Sequence, residues 1–377
     1  MLLRQEKPNM KRILHPTSNV LITGVTGLVG GEIFRHLLAR GHQGMIWPLI
    51  RPGESDPICR LNHRLARSGD DRELPPNVRP VAGDILQDQW GLDVDDLIDV
   101  TAADIIIHNA ADTSFDENSE SATTNVESVR QLIDLARKFP KPPLIVYMST
   151  ASNVGDVTDA NVAEDDGCRP DNHHHNGYTQ SKAVSERLLQ ESGLPVLVLR
   201  PTIVLSPGIP DAKFARQILW CVPLMQVFRA LPINPGSRLD VVDVGFVAEA
   251  TLRLLEKKDR QFDCYHLSAG ADDAVTLGRL NEVTCVCYDR SQLDLINPAD
   301  WNRRHLQEAL RGRVRRKIFK SLRYYFPFLN MNVVYDRSRL EKELGDDCPA
   351  VRPLVEYLPG MLELIGAKAA LREAMMP

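Results

Sequence analysis

The sequence predicts an α/β fold: a doubly wound parallel sheet with a smaller, mainly helical lobe on its C-terminal side. Short apolar runs of strand length alternate with longer amphipathic runs through the first two-thirds of the 377 residues. This alternation is typical of parallel sheets that carry helices on both faces. The chain is also longer than the ~250–300 residues over which one hydrophobic core usually extends, which predicts a second lobe.

The elements of the predicted sheet follow from these runs. Strands are predicted at Val20 to Thr23, Met45 to Ile50, Val78 to Ala82, Ile105 to His108, Leu144 to Met148, Val196 to Leu199 and near Tyr265. Helices are predicted at 31–40, 122–138, 178–192 and 244–257. Pro48 is unexpected inside its strand, because a proline cannot donate to a central ladder.

The same rhythm divides the chain. Residues 1–18 are predicted to be an N-terminal extension and residues 19–204 the sheet domain, to which 239–270 return. The alternation ends near 205, so 205–238 and 271–377 are assigned to the second lobe.

Composition limits the classes of function. Hydrophobic residues make up 43% and charged residues 25% of the chain, and the net charge is −5. These values are typical of a soluble globular protein and argue against a nucleic-acid partner. There is no run of ~20 apolar residues for a membrane span and no apolar region of a secretory signal near the start. A cytoplasmic protein is predicted.

Metal binding is not predicted. The seven cysteines are scattered, and none has the spacing of a zinc site, so we expect reduced thiols. The three adjacent histidines at 173–175 cannot all face one ion in regular structure and are interpreted as part of a polar loop.

A glycine-rich turn joins the first strand to the first helix. Gly24 would permit a tight turn, Gly27 would let the backbone approach a pyrophosphate, and Gly30 would permit close packing of the helix. The helix N-terminus would supply N–H donors and a positive dipole to the phosphates. The turn predicts a dinucleotide site of the Rossmann type, formed by Gly24, Thr26, Gly27, Leu28, Val29 and Gly30.

The end of the second strand indicates which dinucleotide binds. A site for NAD usually has Asp or Glu there, to bind the ribose 2′-hydroxyl, whereas this chain has Arg51, with Arg60 in the next helix. Arginine can bind a 2′-phosphate, so we predict NADP(H) as the cofactor. Further contacts are predicted where the third and fourth strands end, at Asp84, Ile85, Asn109, Ala110 and Ala111.

A tyrosine and a lysine one helical turn apart predict acid–base chemistry. Tyr178 and Lys182 share a helix face, and a nearby ammonium favours the phenolate form of a tyrosine. Lys182 can also bind the nicotinamide ribose. A third group, the hydroxyl of Thr150 at the end of the fifth strand, can donate to a carbonyl oxygen as negative charge develops.

Together these residues resemble the extended short-chain dehydrogenase/reductase family over roughly residues 18–275. The resemblance implies that Thr150 polarises a carbonyl, Tyr178 transfers the proton, and Lys182 holds the ribose and tunes Tyr178. It also implies a structural or proton-relay role for Asn125. The stretch that contains the Arg-Pro pair would contact the cofactor through Pro201, Thr202 and Ile203.

A narrower resemblance is to thioester reductase domains and fatty acyl-CoA reductases. It rests on the segments at 108–115, 177–182 with Glu186, and 265–270. It implies reduction of an acyl thioester, carried by coenzyme A or a separate carrier protein, to the aldehyde and, with a second hydride, to the alcohol. Those groups commonly have a tryptophan and an aromatic residue where this chain has Ala183 and Ser152.

Other functions use the same site. An NADP-dependent ketoreductase, alcohol dehydrogenase or epimerase of a specialised metabolite needs the same three side chains. A non-catalytic NADP(H) sensor is a third hypothesis, although such sensors can lose the Tyr or Lys that this chain keeps. A monomer or a homodimer is expected.

The segment 301–326 is basic and amphipathic. Apolar residues recur at steps of four, with Gly312 interrupting the pattern, and residues 303–323 contain nine Lys or Arg and one acid. The local charge of +8 leaves −13 for the rest of the chain. Coenzyme A phosphates, an acidic carrier protein or an anionic membrane surface could bind such a segment. A solvated face on a packed helix is an equally good interpretation.

Overall fold

The computed structural model describes residues 13–53, 56–66, 73–113, 121–174, 176–209, 221–289, 293–323 and 325–366. Strands in this part of the chain are β1 (Val20–Thr23), β2 (Ile46–Ile50), β3 (Val81–Ala82), β4 (Ile105–His108), β5 (Leu144–Met148), β6 (Asn161–Val162), β7 (Val196–Pro201), β8 (Ile203–Leu205), β9 (Ala230–Pro232), β10 (Arg238–Leu239), β11 (Val241–Asp243), β12 (Cys264–Leu267), β13 (Val275–Thr276), β14 (Asp294–Ile296) and β15 (Val334–Tyr335).

The α-helices in the same residues are α1 (Leu28–Ala39), α2 (Pro57–Ala66), α3 (Val94–Val100), α4 (Ser121–Ala136), α5 (Gly177–Glu191), α6 (Cys221–Met225), α7 (Val244–Glu256), α8 (Gly270–Asp273), α9 (Leu277–Tyr288), α10 (Arg303–Ala309), α11 (Arg313–Leu322), α12 (Phe326–Asn330), α13 (Ser338–Leu344) and α14 (Leu354–Leu364). None of these helices is long and apolar enough to cross a bilayer.

Seven of the strands form one parallel sheet, in the order β12-β7-β5-β4-β1-β2-β3. The chain first adds β2 and β3 on one side of β1 and then adds β4, β5, β7 and β12 on the other side. The crevice between β1 and β4, at the carboxyl ends of the strands, is where ligands bind in folds of this kind.

Helices cover both faces of the sheet, as the sequence predicts. Val20 and Ile22 point to the face covered by α1 and α7, while Leu21 points to the face covered by α4. Side chains alternate across a strand, and here both faces are apolar because both are covered. The predicted α/β doubly wound fold is confirmed.

Pro48 lies at a natural gap in the sheet. The pairing of β2 with β3 consists of a bridge from Ile46 to Val78 and a short ladder that resumes at Leu49 and Val81. Pro48 falls between these two contacts, where its missing N–H interrupts no hydrogen bond of the ladder. This explains how a proline is tolerated one strand from the sheet edge.

A second hydrophobic core lies in the second lobe. It combines residues from the 221–241 segment with α9, α11 and α14, including Leu231, Leu277, Leu322 and Leu358. The assignment of 205–238 and 271–377 to a second lobe stays a prediction; residues 210–220 and 367–377 of these segments lie outside the described part of the chain.

Two segments belong to the sheet domain although the sequence suggested otherwise. Leu14, expected in an N-terminal extension, is 6% exposed, and its amide donates to the carbonyl of Leu255. Leu340 and Leu344 of α13, expected in the second lobe, pack in the core of the sheet domain, and β15 pairs with β6. The chain thus returns to the sheet domain a second time; the rest of the predicted extension, residues 1–12, is not described.

Candidate active site

The glycine-rich turn crosses the carboxyl end of β1. Gly24 has φ +74°, a backbone conformation that other residues rarely adopt. A Cβ on Gly30 would lie 2.5 Å from the carbonyl oxygen of Gly24, so the helix begins in contact with the turn. The amide of Gly27 donates to the same carbonyl at 2.9 Å. The turn and the helix start therefore form one compact cradle.

The N-terminus of α1 is open to an anion. Gly27 is its N-cap and supplies no side-chain acceptor to the first N–H groups. Such groups, together with the helix dipole, bind phosphates well. Of the other predicted contacts in the turn, Thr26 is exposed, Val29 is half-buried and Leu28 is buried.

A buried arginine supports this turn from below. Arg64 of α2 donates to the carbonyls of Gly27 at 3.1 Å and Leu28 at 3.3 Å. Gly31 makes room for it, because a Cβ there would lie 2.6 Å from its guanidinium. Arg64 is not among the site residues predicted from the sequence; the signal for it is a second glycine directly after Gly30, on a helix face that a side chain would normally fill.

The loop after β4 is tied to β1 through one hydroxyl. Thr23 Oγ1 accepts from the amides of Asn109 at 3.1 Å and Ala110 at 3.0 Å, and it lies 3.3 Å from Nδ1 of His108. With both lone pairs occupied, the hydroxyl donates its proton to His108. Burial lowers the pKa of His108 to about 3, so the ring is neutral and can accept.

The residues expected to select the cofactor lie together beyond β2. Arg60 donates to the carbonyl of Arg51, and the Arg51 side chain is 66% exposed. Its Nε is 4.0 Å from the carboxylate of Asp84. Two guanidinium groups thus lie at the carboxyl end of β2, on the side of the sheet where a ribose would bind.

The remaining predicted contacts lie along the same edge. Ile85 is buried behind Asp84, and Ala111 is half-buried after β4. Pro201 ends β7 and Ile203 begins β8, while the amide of Thr202 between them donates to the carbonyl of Leu267.

Thr150 and Ser149 follow β5 and point in opposite directions. Ser149 donates to Glu186 Oε2 at 2.9 Å inside the protein. Thr150 is extended, and its Oγ1 accepts from the amide of Ser152 at 3.3 Å. Adjacent side chains on extended backbone alternate, so the hydroxyl of Thr150 is the one directed away from the buried carboxylate.

Tyr178 and Lys182 lie in the first two turns of α5. The helix begins at the N-cap Asn176, whose side chain accepts from the amide of Thr179. Lys182 is buried, and its Nζ donates at 2.8 Å to the carbonyl of Met148. Met148 is the last residue of β5. The Nζ of Lys182 is 6.0 Å from the centre of the Tyr178 ring. The ammonium therefore bridges the tyrosine and the strand that leads to Thr150.

Burial dominates the electrostatics of this pair. It raises the pKa of Tyr178 to about 12 and lowers the pKa of Lys182 to about 7, while Glu186 acts on Lys182 in the opposite direction. The tuning of Tyr178 by Lys182 stays a prediction; in the structure Lys182 donates to the Met148 carbonyl, and burial is the cause of the raised pKa of Tyr178. A phenol with this pKa is protonated at neutral pH, so Tyr178 carries the proton that reduction of a carbonyl consumes.

Asn125 holds the site together. Its amide accepts from the amide of Asp112 at 2.8 Å and donates to the carbonyl of Asp112 at 2.9 Å and to Ser181 Oγ at 3.0 Å. It thereby links the loop after β4 to α5 beside Lys182. Of the two roles expected for Asn125, this geometry supports the structural one.

A buried ion pair lies behind the Thr150 loop. Glu186 of α5 and Arg200 of β7 are 0% and 3% exposed at their side chains, and Arg200 Nε donates to Glu186 Oε1 at 3.1 Å. Glu186 also accepts from Ser149 and Asn153, which flank Thr150. The sequence contained both charged residues in recognisable motifs but gave no sign that they meet.

Glu164 is a second buried carboxyl next to this network. Arg200 Nη1 donates to its backbone carbonyl at 2.9 Å, while Oε1 of its side chain is buried without a hydrogen-bond partner among the described residues. Burial and the nearby Asp336 raise the pKa of Glu164 to about 7.

Glu164→Gln is expected to change how stability depends on pH. Below pH ~4.5 the carboxyl of Glu164 is protonated in the folded and the unfolded chain. As the pH rises to 7, the unfolded chain loses this proton first. The free energy of unfolding of the wild type therefore falls by about 3 kcal/mol over this range. The amide has no proton to lose. Urea unfolding at pH 5 and pH 8 measures the free energy of unfolding of both proteins. We expect the variant to be more stable relative to the wild type at pH 8 than at pH 5; an equal pH dependence in both proteins would contradict the raised pKa of Glu164.

Histidine side chains of the polar loop at 171–174 contact other residues of the protein. His173 contacts Asp156, and His174 lies 3.1 Å from Thr179 Oγ1. No group of three or more His, Cys, Asp or Glu side chains in the described ranges is arranged to hold a metal ion.

The parallel sheet with a glycine-rich turn at the carboxyl end of β1 is the architecture of dinucleotide-binding α/β proteins. Residues 22–251 match the model of an NAD-binding family described as Male sterility protein. Since that match covers more than half of the chain, the protein belongs to this family.

Similar proteins include large synthases and a shorter reductase. The chain is 32% identical over 258 residues to the highly reducing polyketide synthase calA of Penicillium decumbens, a match that covers 63% of this chain and 8% of the synthase. It is 26% identical over 287 residues to fatty acyl-CoA reductase 2 of Mus musculus, covering 65% of this chain and 55% of that protein. The chain therefore spans only part of these relatives.

Solved structures agree in fold. The terminal R domain from the myxalamid PKS-NRPS biosynthetic pathway aligns with a TM-score of 0.73 at 24% identity, over 99% of this chain and 94% of that chain. A thiolation-reductase di-domain from an archaeal non-ribosomal peptide synthetase aligns with a TM-score of 0.74 at 17% identity, over 96% of this chain and 77% of that chain. The likeness extends through both lobes.

Proposed function

We propose that this protein is an NADPH-dependent reductase of acyl thioesters. The observation that carries the proposal is the joint placement of Thr150, Tyr178 and Lys182 at the carboxyl edge of a dinucleotide-binding sheet. The relatives named above, a fatty acyl-CoA reductase and an R domain of a polyketide–peptide pathway among them, point to a thioester as the carbonyl compound.

The cradle at the start of α1 fits a dinucleotide. The contacts that a Cβ on Gly24 or Gly30 would make leave no room for side chains there, and no side chain caps the first N–H groups of α1. Arg51 and Arg60 would hold the 2′-phosphate of NADP(H), and Lys182 the nicotinamide ribose. Bound in this way, NADPH would supply a hydride to the carbonyl carbon of the substrate.

Side chains of the protein would stabilise the carbonyl oxygen and supply its proton. Thr150 donates a hydrogen bond to the carbonyl oxygen, which strengthens as negative charge develops on it. Tyr178, protonated at neutral pH, transfers its proton to that oxygen. The resulting hemithioacetal breaks its C–S bond and yields an aldehyde and a free thiol. A second reduction of the aldehyde at the same site would give the alcohol.

Thiol release separates this function from its main rival. A ketoreductase or alcohol dehydrogenase could use the same three side chains, but only thioester reduction liberates a thiol. Pantetheine and coenzyme A thioesters of several chain lengths should be incubated with NADPH, with cofactor oxidation followed at 340 nm and thiol by a colorimetric reagent. We expect one thiol for the first NADPH consumed, and oxidation of NADPH without thiol at every chain length would overturn the proposal.

Arg51→Leu combined with Arg60→Leu is expected to test the choice of cofactor. Loss of both guanidinium groups should weaken NADPH binding by about 10–100-fold and leave NADH binding nearly unchanged, because only NADPH carries the 2′-phosphate. Titration of cofactor fluorescence measures both constants. Arg279→Leu, which removes an exposed guanidinium from the second lobe, is the matched control; equal weakening for both cofactors would contradict the proposed role.

A further inference from the structure

The basic segment of the second lobe forms an exposed surface. In place of one long amphipathic helix over 301–326 there are α10, α11 and α12, divided at Gly312, whose φ is +87°. We define the cationic surface as the exposed basic side chains of the first two helices and their junction: Arg303, Arg304, Arg311, Arg313, Arg316, Lys317 and Lys320.

These cations lie close together along the chain and are all exposed. Elsewhere arginines commonly pair with carboxylates, as Arg40 does with Glu249 at 2.9 Å and Arg337 with Glu341 at 2.7 Å. Within the described part of the chain, no carboxylate lies within ion-pair distance of any member of the cationic surface. Seven neighbouring unpaired charges create a strong positive potential and favour an acidic partner.

One face of α11 packs in the second core, and the opposite face carries exposed basic side chains. Ile318 and Leu322 are buried in the second core, and the ring of Phe319 lies 5.9 Å from that of Phe228. The four cations at 313, 316, 317 and 320 recur at the spacing of one helix face and are all exposed. The apolar stripe is thus explained by the fold, whereas the charges on the opposite face are not.

This division favours a protein over a membrane or a single nucleotide. An interfacial membrane helix inserts its apolar face, and the apolar face of α11 is already covered. A phosphate group is satisfied by a few converging cations. The cationic surface instead extends over two helices, of which the ten residues of α11 alone span about 15 Å, a dimension that suits a protein interface.

We infer that the cationic surface docks an acidic carrier domain that presents the acyl thioester on its phosphopantetheine arm. The inference rests on the proposed thioester reduction and adds the route by which the substrate arrives. Exposed Val314, at 46%, lies within the surface and offers an apolar contact amid the charges.

The test compares charge removal on this surface with charge removal elsewhere. One variant combines Arg313→Gln, Arg316→Gln, Lys317→Gln and Lys320→Gln. The control combines Arg130→Gln, Lys138→Gln, Lys141→Gln and Lys258→Gln, four exposed cations of the sheet domain. Binding of a purified acidic acyl carrier protein is measured by fluorescence anisotropy. Turnover is measured with the acyl chain most active in the thiol-release assay, offered on that carrier, on coenzyme A and on free pantetheine.

We expect the first variant to bind the carrier about tenfold or more weakly and to lose kcat/KM for the carrier thioester to a similar extent. Its activity on the pantetheine thioester should match the wild type, and the control should match the wild type throughout. Carrier binding that is equal in the two variants would overturn the inference.

Two other outcomes would also overturn it, by assigning the surface elsewhere. One is a loss in the first variant that appears with the coenzyme A thioester but not with the carrier thioester. The other is binding of the wild type, but not the first variant, to phosphatidylserine vesicles without any effect on carrier binding. If no thioester releases thiol, the proposed function fails, and the anisotropy titration still decides whether the carrier docks.

Discussion

Tyr178→Phe is expected to reduce kcat for carbonyl reduction by roughly 10²–10⁴-fold, the usual contribution of a positioned general acid. The phenol is half-buried, has a pKa of about 12 and is therefore protonated at the pH of an ordinary assay. Phenylalanine keeps the ring and its packing but has no proton to give. Single-turnover measurement of NADPH oxidation at saturating substrate reports the loss directly.

Cofactor binding should survive this change. Lys182, which is assigned to the ribose, donates to the Met148 carbonyl, and the substitution leaves this hydrogen bond and the aromatic ring in place. The dissociation constant of NADPH is therefore expected to change less than about threefold. Tyr288→Phe, which removes a buried phenol oxygen in the second core, serves as the control. Full activity in Tyr178→Phe would mean that another group protonates the product.

Glu186→Gln is expected to lower the free energy of unfolding by about 3–5 kcal/mol, since it leaves the buried guanidinium of Arg200 without its counter-charge. The amide occupies the volume of the carboxylate, so packing changes little. Because Glu186 also holds Ser149 and Asn153, we expect kcat/KM to fall as well. Urea unfolding and the thermal midpoint measure the stability; Glu282→Gln, which breaks an exposed pair with Arg279, should cost less than about 1 kcal/mol.

The double variant Glu186→Gln, Arg200→Met distinguishes a stranded charge from lost packing. It contains no buried charge at this position, so we expect it to be more stable than Glu186→Gln alone. If the double variant is less stable by the sum of two independent losses, the ion pair is not the cause of the effect.

The parts of this molecule that the sequence predicted are those encoded locally. Continuous apolar runs gave the central strands, and α5 begins within one residue of its expected start. The spacing from Tyr178 to Lys182 fixes a shared helix face wherever the helix packs. Gly27 and Gly30 are likewise diagnostic, because the group that a side chain there would meet first is the carbonyl of Gly24, a few residues away.

The features that the sequence did not predict depend on distant contacts. Arg64 reaches the turn only because α2 packs against α1, and Glu186 meets Arg200 only because α5 lies beside β7. The direction of the Lys182 side chain depends on where β5 ends. The strand β15 is two residues long and pairs across more than a hundred and fifty residues, so no periodic pattern could reveal it.

Because β15 and α13 return to the sheet domain, they must be included in any segment that is transferred to another protein as a folded unit. The segment matched by the family model ends at residue 251, before the edge strand β12 and before Leu340, which fills the core. A recombination junction placed at the end of the matched segment would therefore expose apolar surface and remove a strand. Exchange of this unit between related proteins should preserve the fold only where the crossover lies beyond α13, so the exchanged segment must be longer than the segment that the family model matches.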